Sequence, residues 1–269
     1  MHIDAEVHFW KYEMVKGNLY IRNRKILAQD YLPEQIEQSL HRNGMAGCLA
    51  VVAADLEVET RFLSELAETH PEIKGVIGWL DLTHPKAVDK IQEFREYPPI
   101  KGYRLETLMK EVPDSMVMES LLDSQYCLDL AVRHHTDISK LSSWVKAYPE
   151  QQFILQNCGN ASVIESPAAG WENQIRELAK NQNLSCKVSG LLTSSDSKSW
   201  RPADFYPFLE ILFDAFGAGR LLFASDWPFL LVAGMYVQWK SLLEKFTERY
   251  TQEDRDLFFG ENAQRIYRL

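Results

Sequence analysis

Residues 2–9, His2-Ile3-Asp4-Ala5-Glu6-Val7-His8-Phe9, alternate polar and apolar without a break. Successive side chains of a strand point to opposite faces, so His2, Asp4, Glu6 and His8 share one face and Ile3, Ala5, Val7 and Phe9 the other. The apolar face suits packing against helices, which turns the polar row toward the interior of a sheet closed on itself. Seven more strand-like runs follow: GCLAVVAA from Gly47, KGVIGWLDL from Lys74, IKGYRLE from Ile100, YCLDLAVRH from Tyr126, FILQNCG from Phe153, LSCKVSG from Leu184 and RLLFASDW from Arg220. Helix signals stand between them, such as Pro33 ahead of EQIEQSLHRNG, and Thr83 and Pro85 ahead of KAVDKIQEF. Within 58–67, Val58, Phe62, Leu63 and Leu66 fall on one helical face.

Strand–helix alternation at intervals of roughly 25–45 residues implies right-handed βαβ units with parallel strands. No Asn-Gly or Asp-Gly pair joins neighbouring strands, so hairpins are not the organising unit. Eight units in 269 residues predict a closed (β/α)8 TIM barrel, which typically takes about 250 residues. An open nucleotide-binding sheet would carry GxGxxG or GxxxxGK[ST], and neither occurs. No internal repeat or Gly/Ser linker interrupts the chain, so residues 1–269 are expected to form a single domain.

Lys+Arg 29 against Asp+Glu 38 leaves a net charge of −9. With no basic block, that charge argues against nucleic acid or an anionic membrane as partner. No apolar run is long enough to span a bilayer, and the first ten residues lack the charge-then-apolar order of a signal peptide. Cys48, Cys127, Cys158 and Cys186 show no CxxC spacing and fall in or beside strands. They read as buried, reduced thiols of a cytoplasmic protein.

A barrel carries its chemistry at the C-terminal ends of its strands. There Glu6 and His8, spaced i, i+2, can share a divalent metal or simply hydrogen-bond at a strand end. Asp226 stands at the tip of the eighth strand, which Pro228 terminates. It can ligate a metal, act as general base toward water, or cap the turn. Lys187 shares the inward face of the seventh strand with Ser185 and Ser189, unless a slip of one residue turns it outward. An inward ammonium needs a carboxylate partner, with Glu6, Asp4 or Asp226 as candidates. His134 and His135 end the fifth strand, where either can polarise a carbonyl or both can be solvated loop residues. Arg104, on the fourth strand, can fork onto a substrate carboxylate or form a structural ion pair. The first loop carries Lys11, Lys16, Arg22, Arg24 and Lys25, a local positive field able to steer an anion, and the aromatics Phe9, Trp10 and Tyr20 can stack on a sugar or pack.

These stretches resemble one family over nearly the whole chain. Residues 3–10 (IDAEVHFW) are similar to its opening strand motif, Lys101-Gly102-Tyr103-Arg104 to its G-x-R strand, and Leu130 to His135 to its fifth-strand block. Lys187-Val188-Ser189-Gly190-Leu191 is similar to its KxSGL strand, and Ala224-Ser225-Asp226-Trp227-Pro228 to its GSDWP strand. Asn262-Ala263 with Ile266-Tyr267 matches its C-terminal helix. The sequence thus resembles the amidohydrolase superfamily of metal-dependent-hydrolase barrels, in the branch of sugar-acid lactonases that includes L-fuconolactonases, L-rhamnonolactonases and 2-pyrone-4,6-dicarboxylate lactonases. Two departures stand out. Glu6 replaces the first histidine of the usual HxH, and Gln156-Asn157 stands where the sixth strand commonly ends in Asp-His.

The resemblance implies hydrolysis of a small-molecule sugar-acid lactone. Asp226 would be the general base, with His134 or His135, Lys187 and Asn157 stabilising the oxyanion and Trp10 and Arg104 binding substrate. It implies either one divalent metal, zinc first, on Glu6, His8 and Asp226, or a metal-independent reaction. Two other classes use the same features: a metal-dependent non-oxidative decarboxylase of an aromatic acid, and a non-catalytic sugar-acid-binding descendant. The particular sugar and the oligomeric state, a homo-oligomer included, are not written in the sequence.

Overall fold

The computed structural model describes residues 1–106, 113–132, 138–164, 167 and 169–269. Eight strands lie in chain order around one sheet: β1 (His2–Val7), β2 (Met45–Val51), β3 (Ile73–Gly78), β4 (Ile100–Glu106), β5 (Cys127–Ala131), β6 (Phe153–Leu155), β7 (Leu184–Val188) and β8 (Leu221–Phe223). Each pairs in parallel with the next. The ring closes where Val7 bridges Trp227 in parallel, with the His8 N–H donating to Trp227 O (2.7 Å) and the Asp226 N–H to Glu6 O (3.0 Å). All eight expected strands are present, and the architecture is the (β/α)8 barrel.

Two apolar cores follow from closure. The larger lies between strands and helices. The smaller contains Ile3, Ala5, Leu49, Val51, Ile77, Cys127, Ile154, Leu222 and Ala224 together with Ala263, Ile266 and Tyr267 of the helix Asn262–Tyr267. Contributions from six strands converge there, so this is the lumen, and the C-terminal helix plugs its N-terminal end.

The lumen core corrects the reading of the first strand. Ile3 and Ala5 point inward, yet Val7 and Phe9 belong to the outer core. The switch is a bulge: Asp4 pairs with Cys48 and Val7 with Ala50, three steps on β1 against two on β2. One extra residue reverses the alternation. Glu6 and His8 face the lumen as expected, while Asp4 lies in the layer outside it, bonded to the Ser225 N–H.

Two helices also depart from expectation. The stretch after Pro33 is a short 3₁₀ turn, Pro33–Gln35, followed by a helix over Glu37–Arg42. The helix Glu57–Thr69 buries Glu59, Thr60, Leu63 and Ser64, while Val58 is exposed. Its buried polar groups are satisfied: the Glu59 carboxylate accepts from the Ala53 and Ala54 N–H groups (2.7 and 2.9 Å), and Thr60 Oγ1 donates to Trp79 O (3.0 Å). No helix among the described residues is long and apolar enough to cross a membrane.

Candidate active site

The bulge in β1 and a strained turn after β8 aim three donor side chains at one point. Asp226 adopts φ +60°, a left-handed conformation that a non-glycine residue holds only at a cost of about 1–2 kcal/mol. Three consecutive amides hold it: Ser225 N–H to Asp4 Oδ1 (2.9 Å), Asp226 N–H to Glu6 O (3.0 Å) and Trp227 N–H to Ser225 Oγ (3.1 Å). One donor atom each from Glu6, His8 and Asp226 then falls within 4.8 Å of the others, all three residues buried. His8 Nε2 is 3.2 Å from Asp226 Oδ1 and 3.9 Å from Glu6 Oε1.

The imidazole is oriented from behind. His8 Nδ1 lies 2.8 Å from Val51 O, which can only accept, so the proton sits on Nδ1 and Nε2 turns its lone pair toward the carboxylates. Burial lowers the His8 pKa to about 4, with Glu6 pulling the other way, so the ring is neutral near pH 7. Burial raises Asp226 to about 8 against the opposing fields of Arg104 and Lys187. Glu6 is raised too, chiefly by desolvation, with the Asp226 charge adding to it and Lys187 opposing. Among the described residues, no lysine or arginine forms an ion pair with either of these two buried carboxylates beside the neutral imidazole lone pair. Such a donor set, with its histidine backed by a backbone carbonyl, fits a divalent metal.

These groups floor a cavity of about 520 Å³, lined also by Asn18, Tyr20, Ala53, Arg104, Val132, Gln156, Asn157, Asn160, Thr193 and Phe229. Ser189 Oγ lies 2.8 Å from Glu6 Oε2 and 2.7 Å from the Asn157 side-chain oxygen position. A hydroxyl has one proton, so when Glu6 receives it the Asn157 amide must turn its NH2 toward Ser189. Asn157 opens a run, Asn157 to Asn160, in which all four residues have φ between 50° and 66°. The neighbouring Gly190 (φ +74°) could not carry a Cβ, which would lie 2.8 Å from Asn157 Cβ.

Several expected positions resolve differently. Arg104 reaches the cavity, with its guanidinium donating to Val52 O (3.2 Å) and paired at 3.4 Å with Glu106. Lys187 is fully buried in the lumen as expected, but its partner is Asp129 of β5, not Glu6, Asp4 or Asp226, and it does not line the cavity. Trp10 does not meet the cavity either. Fully buried, it donates to Gln29 O (2.8 Å) and packs on Tyr31 and Phe229, so its place is in the core. The basic residues of the first loop leave the cavity wall to Asn18 and Tyr20. Lys16 pairs with Glu13, and Arg24 stacks on the Tyr20 ring. His134 and His135 lie outside the described residues.

Asp129 and Gln156 are additions. Asp129 accepts from Lys187, from Tyr267 OH (2.8 Å) and from Gln156 Nε2 (3.4 Å), and Gln156 lines the cavity. An acid between Leu128 and Leu130 in a strand whose alternate face is lumenal was the available signal for Asp129. The four cysteines are unpaired and buried.

Comparison with known proteins adds the family. The chain is 28% identical over 292 residues to an L-fucono-1,5-lactonase of Burkholderia multivorans, covering 100% of this chain and 96% of the relative. It is similar to the crystal structure of an amidohydrolase from Burkholderia multivorans with bound HEPES (TM-score 0.91, 29% identity, 100% and 99% of the two chains). A second crystal form with bound zinc gives a TM-score of 0.88 at 28% identity, again over 100% and 99% of the chains. The amidohydrolase family model matches residues 3–269, so this chain belongs to the amidohydrolase family and is a hydrolase.

Proposed function

We propose that this enzyme opens a sugar-acid lactone to its hydroxy acid, with Asp226 as general base. The observation that carries the reading is a buried carboxylate at the floor of a polar cavity, in a chain similar end to end to a relative named L-fucono-1,5-lactonase. Water held against Asp226 gives its proton to the carboxylate while its oxygen bonds to the ring carbonyl carbon. The ring C–O bond then breaks, and the proton on Asp226 passes to the departing alkoxide. A base with its pKa near 8 suits both transfers near neutral pH. The Arg104 guanidinium and the Asn157 amide, both on the cavity wall, are two of the described groups able to donate to the developing oxyanion or to substrate oxygens. Lys187 acts only through its field, from beneath the floor. His134 and His135 keep their candidate roles as carbonyl polarisers.

Glu6, His8 and Asp226 would hold a divalent metal, with zinc the first candidate given the zinc-bound relative. Such an ion supplies Lewis acidity and a lowered water pKa. The unpaired, buried cysteines accord with a cytoplasmic enzyme. A panel of sugar lactones, followed by pH indicator on metal-stripped and zinc-reconstituted protein, tests the reading. Ring opening of an aldonolactone supports it. Carbon dioxide release from an aromatic acid, with every lactone untouched, overturns it in favour of the decarboxylase.

A further inference from the structure

Asp4 does not line the site cavity, yet one of its oxygens touches both strands that carry the candidate site. Asp4 Oδ1 accepts the Glu6 N–H (3.1 Å) and, across the ring closure, the Ser225 N–H (2.9 Å). Glu6 is itself a donor residue of the site, and Ser225 immediately precedes Asp226. We propose that Asp4 is a positioning residue: by holding these two amides on a single oxygen it fixes the separation of the Glu6 and Asp226 carboxylates. The assignment of chemistry to those carboxylates rests on the function proposed above, whereas the clamp itself does not.

Two features make this oxygen more than a strand ornament. The bulge between Asp4 and Val7 breaks the regular register of β1, and Glu6 faces the lumen only because of that break. The Asp4 oxygen takes the Glu6 N–H at the bulge itself. On the other side, Asp226 sits at φ +60°, a strained conformation that persists only where its surroundings over-determine it. The Ser225 N–H is one of the three amides that do so, and of those three acceptors only Asp4 Oδ1 also holds the Glu6 amide. The second oxygen, Oδ2, is buried beside the Tyr236 hydroxyl and takes neither backbone amide. Both backbone amides fall on Oδ1, an acceptor that an asparagine side chain reproduces.

The test compares Asp4→Ala and Asp4→Asn in the full chain. Asp4→Ala should lower kcat on the accepted lactone by about 10²-fold with KM within about threefold, and weaken zinc affinity, measured by chelator competition, by about 10-fold or more. Asp4→Asn should restore kcat to within about fivefold of the parent, because it keeps the acceptor. A purely structural role would lower melting temperature without this split or this rescue. Amide hydrogen exchange is the readout that needs no substrate. Glu6 and Ser225 should be among the slowly exchanging amides of the parent protein, and both should exchange faster in Asp4→Ala. Rapid exchange at these two amides in the folded parent overturns the proposal, even if Asp4→Ala does not fold. So does an Asp4→Ala protein with parental kcat and zinc affinity, or an Asp4→Asn protein as impaired as Asp4→Ala. A parent that binds zinc and protects both amides but opens no lactone would sink the lactonase reading and leave the clamp standing.

Discussion

Among the described residues, the lumen holds buried carboxylates in two places, and they are neutralised in opposite ways. Toward β5, β6 and β7, Asp129 is saturated: a lysine, a tyrosine hydroxyl and an amide all donate to it. Where β1 meets β8, Glu6 and Asp226 share a neutral histidine, one serine hydroxyl and the distant fields of Arg104 and Lys187. The first cluster is neutral within itself and has no reason to bind anything. The second, among the described residues, is short of positive charge, and it opens on the cavity. Charge deficit, more than burial, separates the candidate reactive corner from the structural one.

The largest effect is expected at the deficient corner. Asp226→Asn, nearly isosteric but unable to take a proton, should cost at least about 10³-fold in turnover while the protein stays folded. Its stability profile should change as well. A carboxyl raised to about 8 favours the folded state while protonated, so its contribution is present in acid and fades as pH rises from the ordinary carboxylate range through about 8. Without added metal, the parent should therefore lose stability across that window more steeply than Asp226→Asn. Denaturant titrations at several pH values measure the difference, and identical slopes would contradict the charge-deficit reading.

The saturated corner should fail through folding. Lys187→Met leaves Asp129 buried beside only neutral donors, and should destabilise by about 3–5 kcal/mol. Adding Asp129→Asn should recover part of that loss. Unfolding midpoints decide it, and a single variant as stable as the parent would mean the pair is not what neutralises Asp129. The smallest effect is expected where an aromatic left the site altogether. Trp10→Phe loses one indole hydrogen bond and should cost about 1 kcal/mol of stability with KM within twofold. A large rise in KM would return Trp10 to substrate binding.

What could be read in advance follows the same division. All eight strands were legible because each repeats an apolar rhythm that needs no partner to be seen. Glu6, His8, Lys187 and Asp226 were placed inside the barrel by strand parity and by the proline after β8. Parity failed at Asp4, because the bulge is fixed by the fit of β1 to β2 and β8, and a bulge leaves no mark on an alternating sequence. It failed again at the helix Glu57–Thr69, where Glu59 and Thr60 are buried to satisfy backbone groups of adjoining segments. Asp129 went unnoticed as the lysine's partner because β5 and β7 are not neighbours in the sheet. Their contact crosses the lumen, a distance that pairwise spacing does not encode.

Ring closure in this chain joins residues more than two hundred positions apart: Asp4 to Ser225 and His8 to Asp226 are contacts between opposite ends of the sequence. Contacts of such separation repay the entropy of closing their loops late, after the local βαβ units are in place. A partly folded chain can thus hold most of its strands and helices and still possess no acid pair, so recovery of activity on refolding should lag recovery of helical signal. A circular permutant that makes β8 and β1 consecutive in sequence would shorten the loops closed by the Asp4–Ser225 and His8–Asp226 contacts, and should narrow that lag.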